Sequence, residues 1–152
     1  LITEAGLPAV ADPGSQLVKL CHRHNIEVVP CSGPSSLMLA LMGSGLNGQS
    51  FAFLGYIPAK TDERRQALKS IEKHSASAHQ TKIMIETPYR NDSLFADILN
   101  VCQGSTELCV AADITMPDAY IMTKTVAEWK RYVAGKESII GKRPCVFLIL
   151  AH

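Results

Sequence analysis

The sequence predicts an α/β protein with a mixed sheet. Apolar segments of strand length alternate with longer amphipathic segments through most of the 152 residues. Residues 145–151 are apolar without interruption, which indicates a strand buried on both faces and therefore central in the sheet. The connection between residues 112 and 120 is too short for a helical crossover, so the two strands that it joins form an antiparallel hairpin.

The first third of the chain is expected to hold two short strand segments and two helices. Residues 1–2 read as the end of a buried strand, so we expect this chain to be a fragment of a longer one. Apolar residues recur at helical spacing over 15–25, and a short strand over 26–29 follows. A second helix begins at Pro34, because the missing N–H of proline costs nothing in the first turn, and it ends where two glycines follow.

A strand over 51–54 and a long amphipathic helix are predicted next. The helix begins at Thr61, runs to about position 74 and directs its apolar residues toward the sheet. Arg64 and Arg65 are assigned to its outer, solvated face. Because a helix joins this strand to the next one, the two strands are expected to be parallel.

The remaining elements complete the predicted sheet. Strands are expected over 82–85, 107–112 and 120–124, where short apolar runs are bounded by polar residues. One helix carries its apolar residues within 94–99, and a second helix covers 126–133 and contains the only tryptophan. A polar loop then leads into the last strand.

A domain boundary is predicted at residues 31–34, where a turn and a new helix follow a strand. Residues 1–32 are then the C-terminal part of one α/β domain. Residues 33–152 form a second, mixed-sheet α/β domain with about five strands and four helices.

Composition excludes several classes of protein. The chain is 47% hydrophobic and 19% charged, which is typical of globular domains and not of disordered ones. No apolar run approaches the roughly 20 residues that span a bilayer. A net charge of +1 gives no overall electrostatic signature of nucleic-acid binding. The five cysteines are scattered without metal-ligand spacing, so we expect no disulfide framework, no metal site and a cytoplasmic location.

Four loops carry residues that could support chemistry. In the first, Gly6 and Asp12 lie between a strand end and a helix, where ligands of open α/β sheets bind, although ordinary turn chemistry explains the same residues. In the second, Ser35 and Ser36 stand at a helix start, where they either hold a carboxylate or cap the helix.

The third loop follows the strand over 82–85. Glu86 could orient a hydroxyl or an amine, and Arg90 could bind a phosphate or carboxylate; alternatively the two residues form an ion pair that fixes the loop. The fourth loop, residues 111–115, has small residues that leave room for a flat ring, and turn chemistry is again the alternative.

Four segments, in this order along the chain, carry motifs of a known family. They are Glu4-Ala5-Gly6-Leu7-Pro8 with Asp12-Pro13-Gly14, then Gly33-Pro34, then Gly55-Tyr56-Ile57-Pro58 before a basic helix, and Glu86-Thr87-Pro88-Tyr89-Arg90. Together they resemble the tetrapyrrole methylase superfamily, nearest the bacterial branch that methylates a ribose 2′-hydroxyl of small-subunit ribosomal RNA. The resemblance covers essentially the whole chain and is more specific than any single motif.

The resemblance implies a two-domain protein, usually a homodimer, with S-adenosylmethionine in the cleft between the domains. Residues 1–32 would belong to the cofactor-binding first domain. The residues that the resemblance places near the cofactor come from both domains. They are Ala5, Gly6, Pro8, Asp12, Ser35, Ser36, Thr87, Ala112 and Pro144. Glu86 and Arg90 are the candidates for orienting the methyl acceptor.

The chain departs from that branch at residues 111–116, where Ala-Ala-Asp-Ile-Thr-Met replaces Ala-Arg-Glu-Leu-Thr-Lys and two cations are lost. Three functions are therefore considered: an RNA ribose methyltransferase, a methyltransferase of a tetrapyrrole or other small molecule, and a non-catalytic dimerisation or binding module. The RNA-branch motifs favour the first over the second, whereas the near-neutral charge favours the second slightly.

Overall fold

The computed structural model describes residues 1–4, 6–136 and 138–152, and these residues contain five α-helices and five β-strands. In chain order the elements are α1 (Ser15–Arg23), α2 (Ser36–Ser44), β1 (Phe51–Tyr56), α3 (Thr61–Ala78), β2 (Thr81–Ile85), a 3₁₀ turn (Pro88–Arg90), α4 (Asn91–Val101), β3 (Glu107–Ala112), β4 (Tyr120–Thr125), α5 (Val126–Val133) and β5 (Cys145–Leu150).

The five strands form one mixed sheet in the order β1-β2-β5-β3-β4. Strands β1 and β2, which α3 connects, are parallel, and β3 and β4 form the predicted antiparallel hairpin. Strand β5 lies in the centre and runs antiparallel to both of its neighbours, β2 and β3. The predicted α/β class with a mixed sheet is confirmed.

Every residue of β5 is buried, because the strand faces an apolar core on each side of the sheet. Phe147 and Ile149 pack into a core with α3, α4 and α5. Val146 and Leu148 point to the opposite face, where they pack against α2. An uninterrupted apolar strand is therefore needed at this position.

The larger core is closed by Trp129 of α5. Its ring is fully buried against Phe95, and its indole N–H donates a 2.8 Å hydrogen bond to the carbonyl of Leu108. The helix begins with a reciprocal capping box between Thr125 and Glu128. No helix among the described residues is both long and apolar enough to cross a membrane.

The sheet topology gathers four chain segments at one edge of the sheet. Since β1, β2 and β3 point the same way and β5 runs opposite, the ends of the first three strands meet the start of β5. Tyr56, Glu86, Asp113 and Pro144 stand at these four positions. Residues distant in the chain are thereby brought to one place.

The two strand segments predicted in the first 32 residues are wrong. Residues 1–2 and 26–29 lie outside the sheet and pair with no described strand. Their apolar side chains are largely exposed; Ile2, for example, is 93% exposed and Val29 is 70% exposed. A strand requires a hydrogen-bonding neighbour, and the described chain supplies none here. Helix α1 forms as predicted.

The sequence analysis placed Arg64 on the solvated face of α3, and this prediction is wrong. Arg64 is 4% exposed, and its guanidinium binds the buried carboxylate of Asp97 on α4, with an Nε–Oδ2 distance of 2.7 Å. Arg65 binds the other carboxylate oxygen from the surface side, also at 2.7 Å. Burial alone would raise the pKa of Asp97, but hydrogen bonds from Arg65 and Arg64 and the charges of both outweigh it and lower the pKa. This cluster joins α3 to α4.

We predict that Asp97→Ala destabilises the fold by about 3–5 kcal/mol at neutral pH, because it leaves Arg64 buried without a counter-charge. Because the pKa of Asp97 is lowered in the folded protein, its carboxylate contributes fully to the free energy of unfolding above the unfolded pKa of about 3.9. This contribution is lost as the pH falls through the folded pKa. Chemical denaturation on either side of that pH range measures both effects.

The matched control is Glu63→Ala, which removes an exposed ion pair with Lys60 and is expected to cost less than about 1 kcal/mol. Equal stability of the Asp97→Ala and Glu63→Ala variants would contradict the structural role of the buried cluster.

Candidate functional site

A cleft of about 470 Å³ opens at the sheet edge where the strand ends meet. This volume lies within the range of roughly 300–1,000 Å³ that is usual for small-molecule sites. Its walls come from six parts of the chain. They include Gly6, Pro34 and Ser36, then Tyr56, Glu86 and Pro88, then Ala111 and Asp113–Met116, and finally Pro144 to Val146.

Four of the predicted site residues line this cleft: Gly6, Ser36, Glu86 and Pro144. A smaller cavity of about 170 Å³ shares Gly6 and Ser36 with it and is also lined by Asp12 and Ser35. The loop at Gly6 and the start of α2 are thus adjacent, as the resemblance implies. Their role toward a cofactor stays a prediction.

The other predicted residues lie differently. Pro8, Thr87, Arg90 and Ala112 are outside the lining of the main cleft, and Ala5 lies outside the described residues. Thr87 uses its backbone N–H to hold Glu86, at 2.7 Å from Oε1.

The side chain of Ala112 packs in the core on the α5 side of the sheet. Its neighbour Ala111 points to the opposite face and lines the cleft. Side chains alternate along a strand, so the small side chain next to the cleft is Ala111 and not the predicted Ala112. Ala112 could reach a ligand only through its backbone.

Glu86 has the most unusual environment in the cleft. Its side chain is fully buried, and its Oε1 accepts three hydrogen bonds, from the N–H of Thr87 and from Nε and Nη2 of Arg90. Its Oε2 is equally buried, yet no described residue donates to it. A buried carboxylate oxygen without a donor is costly, so a donor from a bound molecule would satisfy it.

Arg90 forms the ion pair with Glu86 that the sequence analysis considered as an alternative. Its Nη2 lies 2.7 Å from Glu86 Oε1, and its side chain is 40% exposed. The intervening 3₁₀ turn, Pro88–Arg90, brings the guanidinium back over the strand end. Arg90 therefore fixes the orientation of the carboxylate and directs Oε2 away from the ion pair.

The opposite wall is fixed by backbone contacts at the end of β3. Asp113 adopts a left-handed conformation and donates its N–H to the carbonyl of Pro144 at 3.0 Å. Its carboxylate lies 3.7 Å from Arg143. The alternative considered for this loop, turn chemistry, is thus present, and Met116 beyond it is 57% exposed. No Lys or Arg is among the described residues that line the cleft, and Arg143 reaches this wall only through Asp113.

Cys145 is the one thiol that lines the cleft within the described residues. Burial, above all, raises its pKa to about 12. The thiol is therefore protonated near neutral pH and is not an activated nucleophile. Among the described residues, no group of three or more His, Cys, Asp or Glu is placed to hold a metal ion.

Tyr56 is a site residue that the sequence analysis did not select. It ends β1, lines the cleft and is 60% exposed. Its position at the end of an apolar strand is the signal that could have found it. Glu86 stands at the corresponding end of β2.

Curated relatives of the chain include bacterial proteins named ribosomal RNA small subunit methyltransferase I. The protein of Vibrio cholerae is 36% identical over 138 residues, which are 91% of this chain and 46% of that protein. The Escherichia coli O157:H7 protein is 34% identical over 138 residues, 91% of this chain and 47% of the relative. The Pseudomonas aeruginosa protein is 32% identical over 149 residues, which are 98% of this chain and 51% of that protein.

The chain is similar to the ribosomal RNA small subunit methyltransferase I proteins over most of its own length, and it spans about half the length of the curated relatives it matches. No family model matches it.

Solved structures of methyltransferases share the fold of this chain. The methyltransferase CobJ superposes with a TM-score of 0.59 at 14% identity, over 96% of this chain and 62% of its own. The cobalt precorrin-4 methyltransferase CbiF superposes with a TM-score of 0.58 at 18% identity, over 95% of this chain and 61% of its own. Uroporphyrin-III C-methyl transferase from Thermus thermophilus, complexed with S-adenyl homocysteine, has a TM-score of 0.52 at 18% identity. The match covers 95% of this chain and 62% of that chain.

Proposed function

We propose that the full-length protein is an S-adenosylmethionine-dependent methyltransferase that acts on a ribose 2′-hydroxyl of small-subunit ribosomal RNA. The names of the relatives support this acceptor, and the cleft at the sheet edge supports a small-molecule cofactor. The observation that carries the proposal is Oε2 of Glu86, a buried acceptor at the cleft with no donor among the described residues.

The residues present fit the cofactor. Gly6 has a φ of +75°, and a Cβ added there would meet no protein atom within 4 Å, so the backbone at Gly6 is open to a ligand. Gly6, Pro8 and Asp12 would hold it from the first domain, with Ser35 and Ser36 beside them. Thr87, Ala112 and Pro144 would approach it from the second domain, Ala112 through its backbone. When bound, S-adenosylmethionine supplies an electrophilic methyl group.

Glu86 orients the acceptor in this proposal. Its Oε2 accepts a hydrogen bond from the ribose 2′-hydroxyl and can take the proton that this hydroxyl loses. Arg90 positions the carboxylate by occupying Oε1 with two N–H groups. Because the carboxylate is held before the acceptor arrives, little reorganisation is needed at the moment of reaction.

The protein assembles as a homodimer and works in the cytoplasm, where ribosomal RNA is made. Residues 1–32 are the C-terminal part of its first, cofactor-binding domain, and 33–152 are the second. Support for the dimer comes from exposed apolar side chains on and next to α2. Met42 of α2 is 79% exposed, and Ile121, which approaches Gly43 of α2, is 40% exposed. Exposed apolar patches often mark an interface.

We predict that Glu86→Gln lowers the rate of RNA methylation by roughly 10²- to 10⁴-fold, the usual contribution of a positioned proton acceptor. Glutamine can still accept the bonds of Thr87 and Arg90 through Oε1, but it presents an N–H donor where Oε2 stood. Methyl transfer to small-subunit ribosomal RNA is measured with the full-length protein.

Glu107→Gln is the control, since Glu107 lies at the opposite end of β3 and is partly exposed. It should retain the wild-type rate. A Glu86→Gln enzyme that turns over as fast as the Glu107→Gln enzyme would reject the role of Oε2.

A second prediction concerns the cofactor itself. Gly6→Val should weaken S-adenosylmethionine binding at least tenfold in calorimetry of the full-length protein, because the added side chain occupies space beside the backbone that contacts the ligand.

Gly45→Val separates this effect from backbone strain. Gly45 also has a positive φ, +72°, and open space around a built Cβ, but it lies at the end of α2 and outside both cavities. Equal affinities of the two variants for the cofactor would remove Gly6 from the binding site.

A further inference from the structure

An exposed aromatic ring and an exposed cation flank the cleft on one side. Tyr89 directly follows Pro88, which lines the cleft, and its side chain is 79% exposed. Lys142 is exposed and stands two residues before Pro144, which lines another wall of the cleft. Its ammonium lies 5.3 Å from the ring centroid of Tyr89, which is cation–π distance.

The first two residues of α4 hold this pair in place. Asp92 accepts hydrogen bonds from the hydroxyl of Ser138, at 2.9 Å and 3.0 Å, and from the N–H of Gly141 at 3.4 Å. Asn91 donates through Nδ2 to the carbonyls of Gly141 and Arg143, at 3.3 Å and 2.7 Å. The backbone on both sides of Lys142 is therefore tied to the helix that begins just after Tyr89.

The charges around the pair favour an anionic ligand. Within the described residues, no carboxylate lies within ion-pair distance of Lys142, whereas Lys60 is paired with Glu63. Arg90, next to Tyr89, is already ion-paired with Glu86, so the cation available to an anion beside this ring is Lys142. Tyr56 contributes a second exposed ring at the cleft.

Aromatic rings beside unpaired cations suit unpaired RNA. A base stacks on an exposed ring, and the neighbouring phosphate binds the cation. Paired RNA offers phosphates but no free base faces, because its bases are stacked within the helix. A ring that is exposed and fixed before binding loses little entropy when a base covers it.

We propose that Tyr89 and Lys142 form a docking platform for an unpaired RNA segment, in which a base stacks on Tyr89 and an adjacent phosphate binds Lys142. This inference rests on the proposed function and adds the structural class of the acceptor. The platform lies beside Glu86, so a nucleotide next to the docked base reaches the cleft. The acceptor ribose is therefore in a loop or an unpaired strand and not in a duplex.

The test measures the affinity of the full-length protein for a short unpaired RNA oligonucleotide and for the same strand in a duplex. Tyr89→Ala should weaken binding of the unpaired strand roughly 5- to 150-fold, and Tyr89→Phe, which keeps the ring, should restore most of it. Lys142→Ala should reduce the salt dependence of binding by the equivalent of one phosphate contact, a slope change of about 0.7. Duplex binding should respond less to Tyr89→Ala.

The control is Lys130→Ala, since Lys130 is an exposed lysine of α5 that lines neither cavity, and it should leave the affinity and the salt slope unchanged. Cofactor affinity, measured by calorimetry, should be the same in all these variants. Wild-type affinity for unpaired RNA in both Tyr89→Ala and Lys142→Ala would overturn the platform while leaving the methyltransferase proposal intact. A wild-type protein that binds the cofactor but methylates no RNA would overturn the RNA acceptor, and the platform with it.

Discussion

The antiparallel insertion of β5 between two parallel strands is the constraint on which the site depends. It places the start of β5 beside the ends of β2 and β3, so that Pro144, Glu86 and Ala111 share one edge of the sheet. This position requires a strand that is apolar on both faces, because a core lies on each side. Packing and site geometry are thus set by the same six residues, Cys145–Leu150.

The carboxylate of Glu86 links this geometry to chemistry. One oxygen is saturated by Thr87 and Arg90, and the other is buried without a donor. Such an arrangement costs stability in the unliganded protein, and strain of this kind is common where a site is organised before its ligand arrives. By contrast, the buried carboxylate of Asp97 has guanidinium donors on both oxygens and serves the fold alone.

Much of the sheet could be predicted because its strands are short apolar runs that each have a partner in the chain. The strand predicted over 26–29 failed because periodicity says nothing about whether a neighbour exists. Arg64 was assigned to solvent because its partner Asp97 lies 33 positions away, beyond what helical spacing reveals. The sequence could not show that the side chain of Ala111 and not that of Ala112 lines the cleft, because adjacent small residues in a fully buried strand do not reveal which face each one takes.

The most direct test of the central claim is a crystal structure of the full-length protein with S-adenosylhomocysteine and an unpaired RNA segment. We expect both ligands to occupy the cleft and Glu86 Oε2 to lie within about 3.2 Å of the acceptor 2′-hydroxyl oxygen. A structure in which Oε2 is bonded to a protein group from outside residues 1–152, with the ligands elsewhere, would contradict it.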